Sequence, residues 1–381
     1  MSGYLDAATA EPMLPVARQA LQAAIEDGWA DPDRAYREGG RARLLLDGAR
    51  EAVAAAIGAR PDEVSFTSSG TTANHLAVLG TLRARRRAGN RLVVSAVEHS
   101  SLLAAARTHN DAGGVVDTVA VDHTGRVDAS AYAEVLHPET ALACLQAANH
   151  EVGTIQPVDE VAGPCRDVGV PLHVDAAQAV GRLPMLGHWD LLTASARKWG
   201  GPAGVGVLAV RTGTRWRSPL PEDEHESGRM PGPVSLPLVI AAAAALQVRD
   251  NARAALAERH AEQTALLRRE VQARVPDVEL LGPDDPAARL PHLVAFSCLY
   301  VAGEALMSEL DRAGFSVSSG SSCSSSALTP SHVLEAMGVL THGNVRLSLT
   351  ADTTDDDIRR FLDVLPAIVR ELRERAGAQG L

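Results

Sequence analysis

Seven short apolar segments, at residues 64–67, 92–95, 115–121, 141–147, 171–174, 191–194 and 205–210, recur through the first half of the chain. Between most of them lie Ala- and Leu-rich stretches with helical spacing, such as 72–87, 102–110 and 158–168. Strands that alternate with helices predict an α/β unit with a largely parallel central sheet. Open sheets of this kind bind ligands beyond the carboxyl ends of their strands. Motifs that fall just after a strand are therefore where chemistry is to be sought.

The pattern breaks at a Pro/Gly-rich interval, 219–237, which reads as a long exposed excursion. A long Ala-rich helix follows at about 238–275. The remainder alternates again: a strand near 293–297, a helix from Glu304, the Ser/Gly-rich run 318–326, a helix near 331–337, a strand at 344–349 and a last helix from Thr354. These predict a smaller α+β unit packed on the first.

Charge and composition narrow the function classes. A formal net charge of −11 disfavours nucleic acid or an anionic membrane as an electrostatically driven partner. The longest apolar stretch, 240–246, is too short to cross a bilayer. The opening MSGYLDAATAEP has neither a basic nor an apolar leader region, so the expected location is the cytoplasm. Cys144, Cys165, Cys298 and Cys323 are widely spaced, which predicts neither a disulfide framework nor a metal centre. Among 36 Lys and Arg residues, Lys198 is the single lysine.

That lysine sits in DLLTASARKWGGPAG, between an apolar strand and a Gly/Pro turn. A lone lysine there reads as a solvated surface residue or as an amine reserved for Schiff-base chemistry. Asp175 in HVDAAQAVG follows another strand. By itself it reads first as a helix cap, and second as a carboxylate able to hold a protonated pyridine nitrogen. Ser68, Ser69, Gly70, Thr71 and Thr72 lie between a strand and a helix start, a setting for a plain cap or a phosphate cradle. His99 follows a third strand, where it is structural or stacks on a ring. Cys323 lies among small polar residues, unlike the other cysteines, and reactive thiols need exposure. Arg346 on the 344–349 strand suits a carboxylate or an ordinary ion pair.

In this order and spacing, the motifs from YLDAAT at Tyr4 to Arg346 resemble the cysteine desulfurases, in the class V aminotransferase group of fold-type I pyridoxal-phosphate enzymes. The resemblance implies a large cofactor-binding α/β domain over 12–250 and a small domain made of 1–11 and 251–381. It implies pyridoxal 5'-phosphate as cofactor, carried by Lys198, with Asp175 at the pyridine nitrogen and His99 over the ring. Gln178 is then expected at the ring oxygen, and Gly70, Thr71, Ser195 and Arg197 around the phosphate. Arg346 would receive the carboxylate of L-cysteine, and Cys323 would take its sulfur for a separate acceptor protein. A homodimer is expected from the same likeness.

Four positions depart from the family pattern. Arg197 replaces a histidine before the lysine. Asn149-His150-Glu151 stands for Asn-Asn-Glu, so an imidazole, His150, faces the ring oxygen beside Asn149. Pro233 falls where the partner subunit's phosphate-binding threonine is expected, and Asp31-Pro32-Asp33-Arg34-Ala35-Tyr36 replaces an Asn-Pro motif. Rival readings are a C–S or selenocysteine lyase, an aminotransferase, and a catalytically silent scaffold for sulfur-transfer partners.

Overall fold

A computed structural model describes residues 3–185, 187–319 and 330–377. From the N-terminus the chain forms β1 (Gly3–Tyr4), α1 (Pro15–Asp27), α2 (Arg37–Ile57), β2 (Val64–Thr67), α3 (Gly70–Arg85), β3 (Arg91–Ser95), α4 (Ser100–Asp111) and β4 (Val115–Val119). It continues through α5 (Ala129–Glu134), β5 (Thr140–Cys144), α6 (Val158–Val168), β6 (Leu172–Asp175), β7 (Leu191–Ser195) and β8 (Gly206–Val210). The last part comprises α7 (Leu236–Arg274), β9 (Val278–Leu281), β10 (Leu293–Cys298), α8 (Gly303–Arg312), β11 (Phe315–Ser316), α9 (His332–Met337), β12 (Asn344–Ser348) and α10 (Asp355–Arg375).

Seven strands form the main sheet in the order β2-β8-β7-β6-β5-β3-β4. Only β8 runs against its neighbours; every other pairing in the sheet is parallel. Helices cover both faces, which is why the strands read as unbroken apolar runs. Strand alternation divides the side chains between the two layers. Val93, Ala143, Val174 and Leu192 face a core shared with α1, α2, α6 and α7. Leu92, Val94, Leu142 and Leu191 face α3 and α4.

Helices α1 and α2 carry a muted signal, because they are buried through small residues. α1 buries only Ala17 and Ala24, and α2 uses Gly39, Ala42, Leu46, Ala49 and Val53 at helical spacing. Both lie against α7. That helix has 39 residues and runs unbroken past residue 250, the expected domain boundary. Its first turns join the main core, while Leu267 and Val271 join a second core under the antiparallel sheet β12-β10-β9. Leu5, from the N-terminal arm, packs into this second core too.

The 219–237 excursion is pinned rather than simply exposed. The Glu226 carboxylate takes two N–H bonds from Arg50, both at 2.8 Å, and one from the Phe66 backbone at 2.6 Å. Glu226 and Ser227 adopt left-handed backbone to make this reach. A buried, bidentate ion pair holds a chain segment that its own composition would leave loose.

Candidate active site

The carboxyl ends of β2, β3, β5, β6 and β7 open onto one cavity of about 470 Å³. The α3 N-terminus contributes Ser69, Gly70 and Thr71. Ser69 caps the helix, accepting the Thr72 N–H at 3.1 Å, and the first-turn N–H groups are left facing the cavity wall. Such a helix end attracts anions. Gly70 suits a tight spot: a Cβ there would lie 3.0 Å from the Ser195 Cβ. Ser195 and Arg197 line the same end of the cavity from β7 and the turn after it.

Lys198 follows in that short turn, half-buried, and its Nζ donates to the Ala8 and Thr9 carbonyls at 2.6 and 2.8 Å. The N-terminal arm is thus one wall of the site. Asp175, at the end of β6, accepts the Ala177 N–H at 2.9 Å and the Asn74 amide at 2.8 Å. It is no helix cap, because no helix begins there.

Asn74 is the residue the motif reading passed over. Its Nδ2 donates to Asp175 and, at 2.9 Å, to the Ser101 hydroxyl, while its Oδ1 accepts from Thr193 at 2.5 Å. Thr193 Oγ1 in turn accepts from His173 Nε2 at 3.0 Å. Burial holds His173 neutral by pushing it down to about 4. On the other branch, His99 Nδ1 accepts the Ser101 N–H at 3.1 Å and lies 2.7 Å from the Ser101 hydroxyl. With Nδ1 an acceptor, the neutral His99 ring carries its proton on Nε2. His99 therefore caps α4 and also lines the cavity. A single buried amide sets the orientation of both Asp175 and His99.

His150 joins the cavity wall with its ring 5.1 Å from that of His99, edge to face. Burial above all, with the nearby positive charges of Arg346 and Lys198, holds it well below the usual histidine range. Its Nδ1 is buried without a partner, and its Nε2 lies 3.5 Å from Glu151. Asn149 does not reach the cavity. Its Oδ1 accepts from the Glu151 and Val152 N–H groups, and its Nδ2 donates to the Val97 carbonyl. The expected ring contact of Asn149 is replaced by a role in shaping the turn that presents His150. Gln178 lines the cavity while donating to the Ala8 carbonyl at 2.9 Å and accepting from Arg182 at 2.8 Å.

Arg346 reaches in from β12. It is 2% exposed, and donates to the His150 carbonyl at 2.7 Å and to Asp6 and Thr9, both at 2.6 Å. Its Nε has no partner. Asp6 holds the guanidinium charge in place and leaves that donor to be filled. Cys323 lies outside the described residues. The residues flanking 320–329 are tied to the rim: Arg346 N–H donates to the Ser318 carbonyl at 2.6 Å, and the Ser331 hydroxyl donates to Glu151 at 2.6 Å. Cys144, Cys165 and Cys298 are buried, and burial raises each thiol, the last two to about 12. None of the three is poised as a thiolate.

Glu98, just before His99, is fully buried, with Oε1 taking bonds from Ser95 and the Gln146 N–H and Oε2 taking none. Burial, reinforced by the Asp175 charge, lifts it from the usual 4.5 to about 7. A carboxyl raised in the folded state contributes stability that is full below pH 4.5 and is lost as pH rises towards 7. Glu98→Gln is therefore expected to match the parent near pH 4.5 and exceed it above pH 7, by about 3 kcal/mol. Thermal melts across this range read the difference. A gap that stays constant with pH would show that folding does not move Glu98 from its usual value.

Comparison with known proteins returns one consistent picture. The aminotransferase class-V family profile matches residues 3–361. Cysteine desulfurase IscS of Dictyoglomus turgidum is 36% identical over 377 residues, covering 97% of this chain and 95% of that one. A cysteine desulfurase of Cereibacter sphaeroides is also 36% identical, over 381 residues, with 97% and 96% coverage. Among solved structures, a NifS-like protein superposes with a TM-score of 0.91 at 26% identity, covering 98% of this chain and all of that one.

Proposed function

Because this chain belongs to the aminotransferase class-V family, with cysteine desulfurases as near full-length relatives, we propose that it is a pyridoxal-phosphate-dependent cysteine desulfurase. It takes the sulfur of L-cysteine onto Cys323 as a persulfide, releases L-alanine, and yields the sulfur to an acceptor protein. The exchange balances: one thiol and one cysteine become one persulfide and one alanine. The observation that carries the reading is the convergence of Lys198, Asp175, His99, Arg346 and the α3 N-terminus on one cavity.

The residues fit the cofactor. Gly70 leaves the close approach that a phosphate needs, with the Thr71 and Ser195 hydroxyls and the Arg197 guanidinium around it. Asp175 is set to pair with a pyridine nitrogen, and His99 to lie along the ring. His150 and Gln178, also in the lining, would stand by the ring oxygen. Bound pyridoxal 5'-phosphate supplies an electron sink that acidifies the substrate Cα–H and labilises its Cβ–S bond. Lys198 would hold the cofactor through its amine, and its free amine would move the Cα proton. Arg346 would orient the substrate carboxylate. Cys323 attacks the substrate sulfur.

Turnover of L-cysteine by the purified, cofactor-loaded protein with a thiol reductant is expected to give alanine and sulfide in equal amounts. Sulfide accompanied by pyruvate and ammonia would instead identify a C–S lyase. Absence of both products would overturn the reading.

The enzyme is further proposed to act as a homodimer in the cytoplasm. Ile25, Trp29, Tyr36 and Leu44, on α1, α2 and their connection, are 60, 70, 50 and 75% exposed. Exposed apolar side chains this large, close together in the chain, fit an interface. Trp29→Glu is expected to weaken self-association at least about 30-fold, the loss of one aromatic anchor. Sedimentation velocity over a dilution series measures it, and an unchanged dimer would remove this face from the interface.

A further inference from the structure

A second, much smaller cavity lies behind the Gln178 wall, where the main sheet unit meets the antiparallel one. It measures about 20 Å³ and is lined by Arg182, Arg249, Arg253, His260 and His292, with Gly181 at one side. This is room for one water or one monatomic ion, and too little for sulfate, phosphate or a carboxylate.

The charges around it do not cancel. Arg182 and Arg249 are both buried, and both pair with Glu11, at 3.2 and 2.6 Å. Among the described residues no other carboxylate pairs with either. Arg253 is already matched by Asp250 at 3.1 Å. Two buried guanidinium groups thus share one carboxylate, and an unmatched buried charge is costly. Burial itself lowers Arg182 to about 10.

Hydrogen-bond donors are also left over. His292 is 2% exposed, yet neither of its ring nitrogens has a partner, and Arg249 Nε has none. His260 donates Nε2–H to the Thr350 carbonyl at 3.0 Å, which fixes the second imidazole. Buried polar atoms are rarely left this way without an occupant. A water would satisfy one or two of them and leave the net charge in place. A monovalent anion satisfies the donors and the charge together.

We propose that this cavity is a binding site for a single halide ion, chloride under ordinary conditions, held by Arg249 and His292. The ion would sit between the large unit, through Arg182 and Arg249, and the small unit, through His292. Arg182 extends the connection to the cofactor pocket, because it also bonds Gln178 at 2.8 Å and the Ala7 carbonyl at 3.2 Å.

Two measurements on the cofactor-loaded protein test this. Crystals soaked in bromide are expected to show an anomalous peak between Arg249 and His292. In solution at constant ionic strength, replacing gluconate by chloride is expected to raise Tm saturably, by about 2 °C. The rise should vanish in His292→Phe, which fills similar space without ring nitrogens. Density for a water with no bromide signal overturns the proposal. So does a bromide peak without a chloride-specific, saturable rise in Tm, which would mean binding at crystal concentration only. Should His292→Phe fail to fold, the two wild-type measurements decide alone.

Discussion

Cys323→Ser is expected to lower sulfide release from L-cysteine by on the order of 10³-fold or more, while the cofactor stays bound and its visible spectrum stays unchanged. A hydroxyl in place of the thiol cannot accept sulfur, and no other cysteine can stand in. Cys144, Cys165 and Cys298 are enclosed in apolar cores, with thiols held well above neutrality by burial. Asp175 and His99 are held by bonds to Asn74 and Ser101, so cofactor binding is expected to be kept. Alkylation of the parent protein after a single turnover, followed by mass analysis, should find the extra sulfur at Cys323 and nowhere else. Near-normal turnover in the variant would remove Cys323 from the mechanism and favour direct release of sulfide.

Lys198→Ala is expected to cost about 10⁴-fold or more in turnover, because the covalent attachment and the Cα base are lost together. The fold should survive. The Lys198 amine donates to the Ala8 and Thr9 carbonyls, and loss of such bonds costs about 1–3 kcal/mol. Cofactor should still bind through the α3 N-terminus and Asp175, but should wash out on extended dialysis, whereas the parent keeps it. The dialysis result separates this variant from Cys323→Ser. A Lys198→Ala protein that retains its colour through dialysis would place the covalent link elsewhere.

Much of the architecture was legible because parallel strands buried on both faces leave apolar runs, and five of the seven runs ended beside the cavity. Asp175, Lys198, Ser195, His99 and Gly70 all follow such runs, and the structure gathers them around one cavity. What escaped was of two kinds. Helices α1 and α2 are buried through alanine and glycine, so they lack the strong apolar stripe that marks a helix. The polar partners were hidden for a different reason. Asn74 sits in the buried stretch of α3, and its use depends on Thr193 and Asp175, more than a hundred residues away. Asn149 shows the converse: its position beside the site is right, but its side chain closes a turn. The pinning of 219–237 by Arg50 and Glu226 is equally a long-range pairing that local composition conceals.

The half-buried setting of Lys198 has a practical consequence. In a chain with a single lysine, an amine-directed reagent meets just two primary amines, the α-amino group and the one inside the cavity. The α-amino group serves as the internal reference. The ratio of label on the two would therefore report the fraction of molecules whose pocket is filled, directly from a peptide map. The same scarcity makes lysine-bridging cross-linkers uninformative about assembly in this protein, since its surface is armed almost wholly with arginine.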